Sequence, residues 1–451
     1  MGNQLGNQFG NQFGNQFSDG RGRPRVVITG IGVMSPLGHT AAESWESLLN
    51  GRSGIGPITQ FDASQFSCRI AGEVKDFRPA DYMDFKEARR ISRASQLAIA
   101  ATRMALADAG LPEPLPHGER AGVLVGTGVG GFEVADANMI ILRKKGVSRV
   151  SPFAMTGFLP NMPSHHVSEV AQTLGPISTV TAACATGTQA IGEAVELIRR
   201  GAADLVISGG VEGLIHEAAI AGFGAMRALS TAFNDEPHRA SRPFDKDRDG
   251  FILSEGGGIL VLERLDQALA RQAPIYAEVL GHASSSDAFH VAAQDPEAAG
   301  AVRAMKWAIE DASLSPDEID CINAHGTSTP MNDLSETTAV KTLFGERAYE
   351  IPISANKSLL GHAMGGAGAI EAIFAALTIK EGIIPPTWNY ETADPECDLD
   401  YVPNASRPAT VRTVLSNSFG LGGQNACLVL GAVNQNTQTA TQTRNQNAST
   451  T

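Results

Sequence analysis

From about residue 25 to residue 433 the chain alternates short runs of β-branched and apolar residues with longer stretches in which apolar positions return every three or four residues. The short runs read as buried strands and the longer ones as amphipathic helices. In a first half the strand-like runs are RVVITGIG (25–32), AGVLVGTG (121–128), STVTAA (178–183) and ADLVISGG (203–210). In a second half they are IYAEVLG (275–281), IDCINAHG (319–326), EIPISAN (350–356) and TVLSNSFG (413–420). Strands alternating with helices predict an α/β protein with parallel strands. Two stretches share one order of elements: VTAACATGTQAIGEAVELI from Val180, and ISANKSLLGHAMGGAGAIEAIFAAL from Ile353. Each is an apolar strand, a short polar turn and a small-residue helix. The apolar positions of those helices, Ile191, Val195 and Ile198 in one and Ile370, Phe374 and Leu377 in the other, fall on one face. The repetition predicts two pseudo-symmetric α/β halves, 25–273 and 274–433, that share one site.

Composition narrows what the site can be. Both ends are low in complexity, a GNQ-type repeat and a tail rich in Asn, Gln and Thr; residues 1–24 and 434–451 are expected to be disordered because they have little apolar surface to bury. A formal net charge of -13 argues against broad nucleic-acid binding, which needs a cationic face. Five scattered cysteines, Cys68, Cys184, Cys321, Cys397 and Cys427, form no CxxC or CxxH pair, so neither a zinc site nor a disulfide framework is expected. A reducing cytoplasm fits them. No continuous apolar stretch at the N-terminus addresses a membrane. GTGVGG (126–131) satisfies GxGxxG by count, but it is short and far from the start of the fold, so it supports no dinucleotide site. No cofactor and no metal are expected.

The candidate chemistry lies at the strand ends. Cys184 stands at a strand-to-helix junction, where unpaired backbone N–H groups and the helix dipole favour a thiolate. By position alone it is equally well a small buried hydrophobe. Two histidines tip the balance toward a nucleophile. His325, in NAHGTSTPMND, follows a predicted strand, and His362 follows Lys357 by five residues in NKSLLGHAMGGAGA. His39, His117, His216, His238, His282 and His290 read as structural or solvated.

VTAACATGTQAIGEA, NAHGTSTPMND, NKSLLGHAMGGAGA and NSFGLGGQNACLVL, in this order, closely resemble the β-ketoacyl-acyl carrier protein synthases of the thiolase superfamily, the type II elongating enzyme most of all. The likeness covers about Arg25 to Val433. It implies a thiolase-like fold of layered α-β-α-β-α architecture and a decarboxylative condensation that needs no cofactor. By the same resemblance Cys184 carries the acyl group, and His325 and His362 donate hydrogen bonds to the enolate left by malonyl decarboxylation. The backbone N–H groups of Cys184 and Phe419 would form the oxyanion hole. Lys357 would order the site, with Asp333 and Glu336 as its nearby acidic partners. Val129 would wall the acyl pocket and Leu421 gate it, a leucine standing where the family usually has a second Phe. Lys86, Arg89, Arg90, Arg149 and Arg227 would receive an acidic acyl carrier protein, loaded with an acyl or malonyl group, and the chain would be a homodimer. Three function classes remain: fatty acid elongation, the ketosynthase of a polyketide or specialised lipid pathway, and a non-catalytic partner of the chain-length-factor kind. The last typically lacks the nucleophile, so Cys184 counts against it.

Overall fold

The structure is a computed structural model and describes residues 15–433. Ten strands form its main sheet. The first five are β1 (Val26–Met34), β2 (Ala121–Gly126), β3 (Ile177–Ser178), β4 (Leu205–Glu212) and β5 (Gly256–Arg264). The second five are β6 (Ala277–Ser286), β7 (Cys321–Asn323), β8 (Ile353–Ser354), β9 (Thr413–Gly420) and β10 (Gln424–Gly431). Their order across the sheet is β8-β7-β9-β10-β6-β1-β5-β4-β2-β3. Read outward from the centre, the first half runs 1-5-4-2-3 and the second 6-10-9-7-8, which is the same order repeated. Pair directions repeat too: β2 is parallel to β3 and β4 while β5 is antiparallel to β4 and β1, and β7 is parallel to β8 and β9 while β10 is antiparallel to β9 and β6. The halves join where Val27 and Ile28 of β1 pair with Glu278 and Ala277 of β6.

The helices that make the layers are α1 (Arg93–Asp108), α2 (Met162–Ala171), α3 (Thr186–Arg199), α4 (Ala299–Asp311), α5 (Pro330–Phe344) and α6 (Ala367–Glu381). α1 and α2 cover the outer face of the first half-sheet, α4 and α5 that of the second, and α3 and α6 pack between the two. This gives a thiolase-like α-β-α-β-α stack. The central helices can touch only because glycine occupies the crossing: a Cβ on Gly187 would lie 2.7 Å from the Ala369 nitrogen, and one on Gly368 2.1 Å from Thr188 Oγ1.

The sheet departs from the sequence expectation in three places. It is mixed rather than parallel, because β5 and β10 lie outside the expected strands and because β1 and β6, both expected, pair antiparallel where the halves join. β5 opens on three glycines, which weaken a strand signal, and β10 follows β9 after residues 421–423 only, so the hairpin hides inside one motif. In STVTAA only Ser178 belongs to a strand, since side chains take over the carbonyls: Ser164 Oγ donates to the Ser178 oxygen at 2.7 Å and Thr181 Oγ1 to the Thr127 oxygen at 2.9 Å. Residues 15–24, expected within the disordered N-terminal tail, are fixed. Phe17 packs with Val27, Leu265, Ala268 and Val433, and Arg21 and Arg23 pair with Asp311. The rest of both tails lies outside the described residues. No helix among the described residues is long and apolar enough to cross a membrane.

Candidate active site

Each half sends its chain from an edge strand into a central helix through a one-turn 3₁₀ elbow, Ala183–Ala185 before α3 and Met364–Gly366 before α6. Both elbows open on a non-glycine residue in the left-handed region, Ala183 at φ 47° and Met364 at φ 46°. Such a conformation costs about 1–3 kcal/mol and persists only where the surroundings enforce it. Cys184 occupies the first elbow, and the equivalent position in the second is Gly365. A Cβ on Gly420, in β9, would lie 3.3 Å from the Cys184 nitrogen and 2.9 Å from the Ala182 oxygen, so the backbone of the second half passes directly beside the Cys184 amide. The expected thiolate is corrected here. Burial is the largest influence on Cys184 and pushes its thiol up to about 11; the N–H of Leu421 and the charge of Lys357 pull it down, and Glu212 adds to the rise. The elbow holds Cys184 as a thiol.

One sulfur and two rings meet at this point. The Cys184 sulfur and one nitrogen from each of His325 and His362 lie within 4.8 Å of one another. The two rings stand edge to face with centroids 5.3 Å apart, and the Phe419 ring meets His325 at 5.8 Å. Each imidazole has its inner nitrogen occupied. His362 Nδ1 accepts from the Met364 N–H at 3.2 Å, and Lys357 Nζ, which has only protons to give, lies 3.3 Å from His325 Nδ1. Both rings therefore carry their proton on Nε2, and His362 Nε2 is buried without a partner among the described residues. Burial, then the charge of Lys357, holds both well below the ordinary histidine range, so both are neutral. The same tautomers make this sulfur and nitrogen cluster a poor metal site, because the cavity-side nitrogens hold protons rather than lone pairs.

Lys357, expected beside Asp333 and Glu336, pairs instead with Glu371 of α6; this corrects the sequence reading. Lys357 Nζ also donates to the His325 carbonyl at 2.7 Å. Glu336 has another task, accepting from the backbone N–H groups of His325 at 2.9 Å and Gly326 at 2.8 Å. Asp333 accepts from the N–H groups of Phe244 at 2.8 Å and Ser328 at 3.2 Å. The two acids thus pin the His325 loop to α5 while Glu371 holds the lysine. Burial raises both Glu336 and Glu371 to about 7.

Cys184, His325, His362, Phe419, Leu421 and Arg227 line one cavity of about 480 Å³. Phe223 and Met226 separate it from an apolar cavity of about 300 Å³ that Val129, Phe132 and Leu214 help to line. The GTGVGG turn beside that second cavity cradles a carboxylate. Glu212, at the end of β4, accepts from Thr127 Oγ1 at 2.9 Å, Gly128 N–H at 2.8 Å and, across the pseudo-symmetry, Gly365 N–H at 3.1 Å. Glu371 and Glu212 were absent from the sequence reading, and His290, which that reading took as structural or solvated, lines the larger cavity. A lone carboxylate inside an apolar helix, AGAIEAIFAAL, was the available signal for the first. The exposed cations Lys86, Arg89, Arg90 and Arg149 line neither cavity, and none of them, nor Arg227, pairs with a described acid. The Arg90 guanidinium lies 4.7 Å over the Phe153 ring.

Two repeated strand-to-helix elbows, with a cysteine in one and histidine and lysine beside the other, bring these reactive residue types to one buried site on a thiolase-like fold. The description of the N-terminal domain of Beta-ketoacyl synthase matches residues 23–268 and that of the C-terminal domain residues 276–391. The chain belongs to the β-ketoacyl synthase family. It is 48% identical over 406 residues to a 3-oxoacyl-[acyl-carrier-protein] synthase 2 of Synechocystis sp., covering 90% of this chain and 97% of that one. It is 47% identical over 405 residues to the synthase 2 of Staphylococcus aureus, with the same coverage. Among solved structures, the ishigamide ketosynthase/chain length factor superposes with a TM-score of 0.84 at 39% identity, covering 91% of this chain and 99% of the other. A type II PKS ketosynthase in complex with its acyl-carrier protein and bound to a hexaketide (AntDE:AntF) gives 0.83 at 34%, covering 91% and 100%.

Proposed function

We propose that the protein is a β-ketoacyl-acyl carrier protein synthase that lengthens fatty acyl chains by two carbons. The observation that carries this reading is the pair of neutral imidazoles protonated on Nε2, each with one nitrogen within 4.8 Å of the Cys184 sulfur. In the first half-reaction the Cys184 sulfur attacks the thioester carbonyl of an acyl carrier protein. The C–S bond to the phosphopantetheine arm breaks, and the departing sulfur takes the thiol proton. The N–H groups of Cys184 and Phe419 stabilise the tetrahedral oxyanion, and the acyl chain extends past Val129. In the second, malonyl carrier protein enters and its C–C bond breaks to release carbon dioxide. The enolate oxygen accepts hydrogen bonds from His325 and His362. Two neutral donors suit this step because they stabilise negative charge without delivering a proton that would quench the carbanion. The carbanion attacks the acyl carbonyl on Cys184, the C–S bond to Cys184 breaks, and the expelled thiolate takes a proton from solvent water.

Names of relatives support the partner and the pathway: the curated relatives at 47–48% identity are synthases acting with acyl-carrier protein, and one structural neighbour is a complex with such a protein. The structural neighbours from polyketide assembly support a second reading, a ketosynthase of a specialised pathway; condensation rates across acyl carrier proteins of graded chain length separate the two. A homodimer accounts for the helix Phe132–Lys145, which has no buried residue although Met139, Ile140 and Leu142 are among its side chains. Five unpaired cysteines fit the cytoplasm.

His325→Ala and His362→Ala should still accept an acyl group on Cys184, seen by mass spectrometry, while malonyl decarboxylation falls by about 10²- to 10³-fold. Decarboxylation at the unmutated rate in either variant would remove that histidine from the mechanism. An acyl adduct on another cysteine would remove Cys184.

A further inference from the structure

Among the described side chains that line the catalytic cavity, two have a buried polar atom without a partner: His362 Nε2, a donor, and Gln294 Oε1, an acceptor. The first awaits the enolate oxygen. The proposed chemistry leaves the second unused.

The direction of the Gln294 amide follows from a chain of hydrogen bonds anchored on a carboxylate. Asp333 is fully buried, and its Oδ1 accepts from the Ser328 N–H at 3.2 Å and from Asn332 Nδ2 at 3.0 Å. A carboxylate oxygen facing an amide requires the amide's nitrogen there, so Asn332 must turn its Oδ1 the other way. That oxygen accepts from Gln294 Nε2 at 2.9 Å. A flipped Gln294 would set two oxygens against each other. Its nitrogen is therefore spent, and Oε1 is left free. The cavity-lining hydroxyls of Thr327 and Thr329 bond to each other at 2.9 Å and not to Gln294 Oε1. The segment that carries Gln294 is held in place: the Asp287 N–H donates to the Gly423 oxygen at 2.9 Å and the Gly422 N–H to the Val291 oxygen at 3.0 Å.

A buried amide oxygen with no donor costs about 1–3 kcal/mol, so such an atom in a substrate cavity points to a donor supplied by the substrate. The reacting end of the substrate has none. A thioester, a malonyl carboxylate and an acyl chain offer only acceptors and apolar surface, whereas the pantetheine arm contains secondary amides. We infer that Gln294, oriented through Asn332 by Asp333, is a recognition site for an amide N–H of the arm that delivers the thioester. This inference rests on the proposed carrier-dependent activity.

The experiment compares acyl transfer to Cys184 from three donors bearing the same acyl group: the pantetheine thioester with two amides, the N-acetylcysteamine thioester with one, and the amide-free propanethiol thioester. Gln294→Met keeps the length and bulk of the side chain and removes the acceptor. It should raise KM for the pantetheine donor by about 3- to 10-fold, the worth of one neutral hydrogen bond, with kcat unchanged. The propanethiol thioester should be used as well as before, which also shows that the variant is folded. A loss shared by the N-acetylcysteamine donor assigns the contact to the amide nearest the sulfur, and a loss confined to pantetheine assigns it to the farther one. An unchanged KM for pantetheine, or an equal loss on the amide-free donor, would overturn the assignment. Wild-type protein left unacylated by all three donors would instead overturn the activity itself, and the inference with it.

Discussion

A thiol packed with Phe251, Leu253 and Met364 resists losing its proton, and Cys184 is in that position. Two effects compete for it. The start of a helix favours the anion by about 0.3–1 kcal/mol in exposed settings and up to ~2 kcal/mol when partly buried. Complete burial disfavours the anion by more, which is why the thiol rests at about 11. At neutral pH the thiol form therefore predominates. In the proposed acyl transfer the departing thioester sulfur accepts that proton. The rate of Cys184 alkylation by iodoacetamide, followed by peptide mass spectrometry, should rise about tenfold per pH unit from 7 to 10. The sign is set by the upward shift: the thiolate appears only as pH climbs toward about 11. A plateau by pH 8 would mean that the helix end outweighs burial after all.

At the scale of elements, the two elbows are bridged by one carboxylate. Glu212 leaves β4, the strand parallel to β2, and accepts N–H groups from the loop after β2 and from the turn before α6. The fit leaves no room for a methyl group: a Cβ on Gly365 would stand 2.8 Å from Glu212 Oε2 and 2.4 Å from the Gly128 nitrogen. Gly365→Ala should lower the urea unfolding midpoint, the scale for overpacking being about 1–3 kcal/mol, and should slow malonyl decarboxylation because His362 lies three residues away. An unchanged midpoint and rate would show slack in the turn. Glu212 also explains which parts of the site were legible. Cys184, His325, Lys357 and His362 stood out because reactive residue types at strand ends and turns break an apolar pattern. Glu371 sits on a helix face that periodicity assigns to the core, and Glu212 merely ends a strand. A buried carboxylate is recognisable only once N–H groups or a lysine converge on it, and that convergence brings together residues 84 to 153 positions apart in the case of Glu212. The repeat of halves was legible through the two junctions; the β9–β10 hairpin and the glycine run of β5 concealed the antiparallel strands.

For the whole molecule the question is how a chain of net charge -13 would receive the acidic carrier protein proposed for it. Most of its arginines are committed to ion pairs, such as Arg93 with Glu255, Arg248 with Asp394 and Arg271 with Glu263. Lys86, Arg89, Arg90, Arg149 and Arg227 are exposed and pair with no described acid, so their charge is available to a partner. An exposed pair formed with a carrier protein is screened beyond a Debye length of about 8 Å at physiological ionic strength, and such contacts act more on encounter than on final affinity. Charge reversal by Arg89→Glu with Arg90→Glu should therefore raise KM for acyl carrier protein substrates, most strongly at low salt, and the gap to wild type should narrow as salt increases. Activity on an acyl-pantetheine thioester should stay within about twofold, because that donor enters the cavity without touching the patch and neither arginine lines it. Arg227 makes the contrasting case, since it is exposed and also lines the cavity: Arg227→Glu should affect both donors. Equal losses on carrier-bound and free thioesters in the Arg89 and Arg90 variant would mean that these residues act through the fold, and the docking face would have to be sought elsewhere.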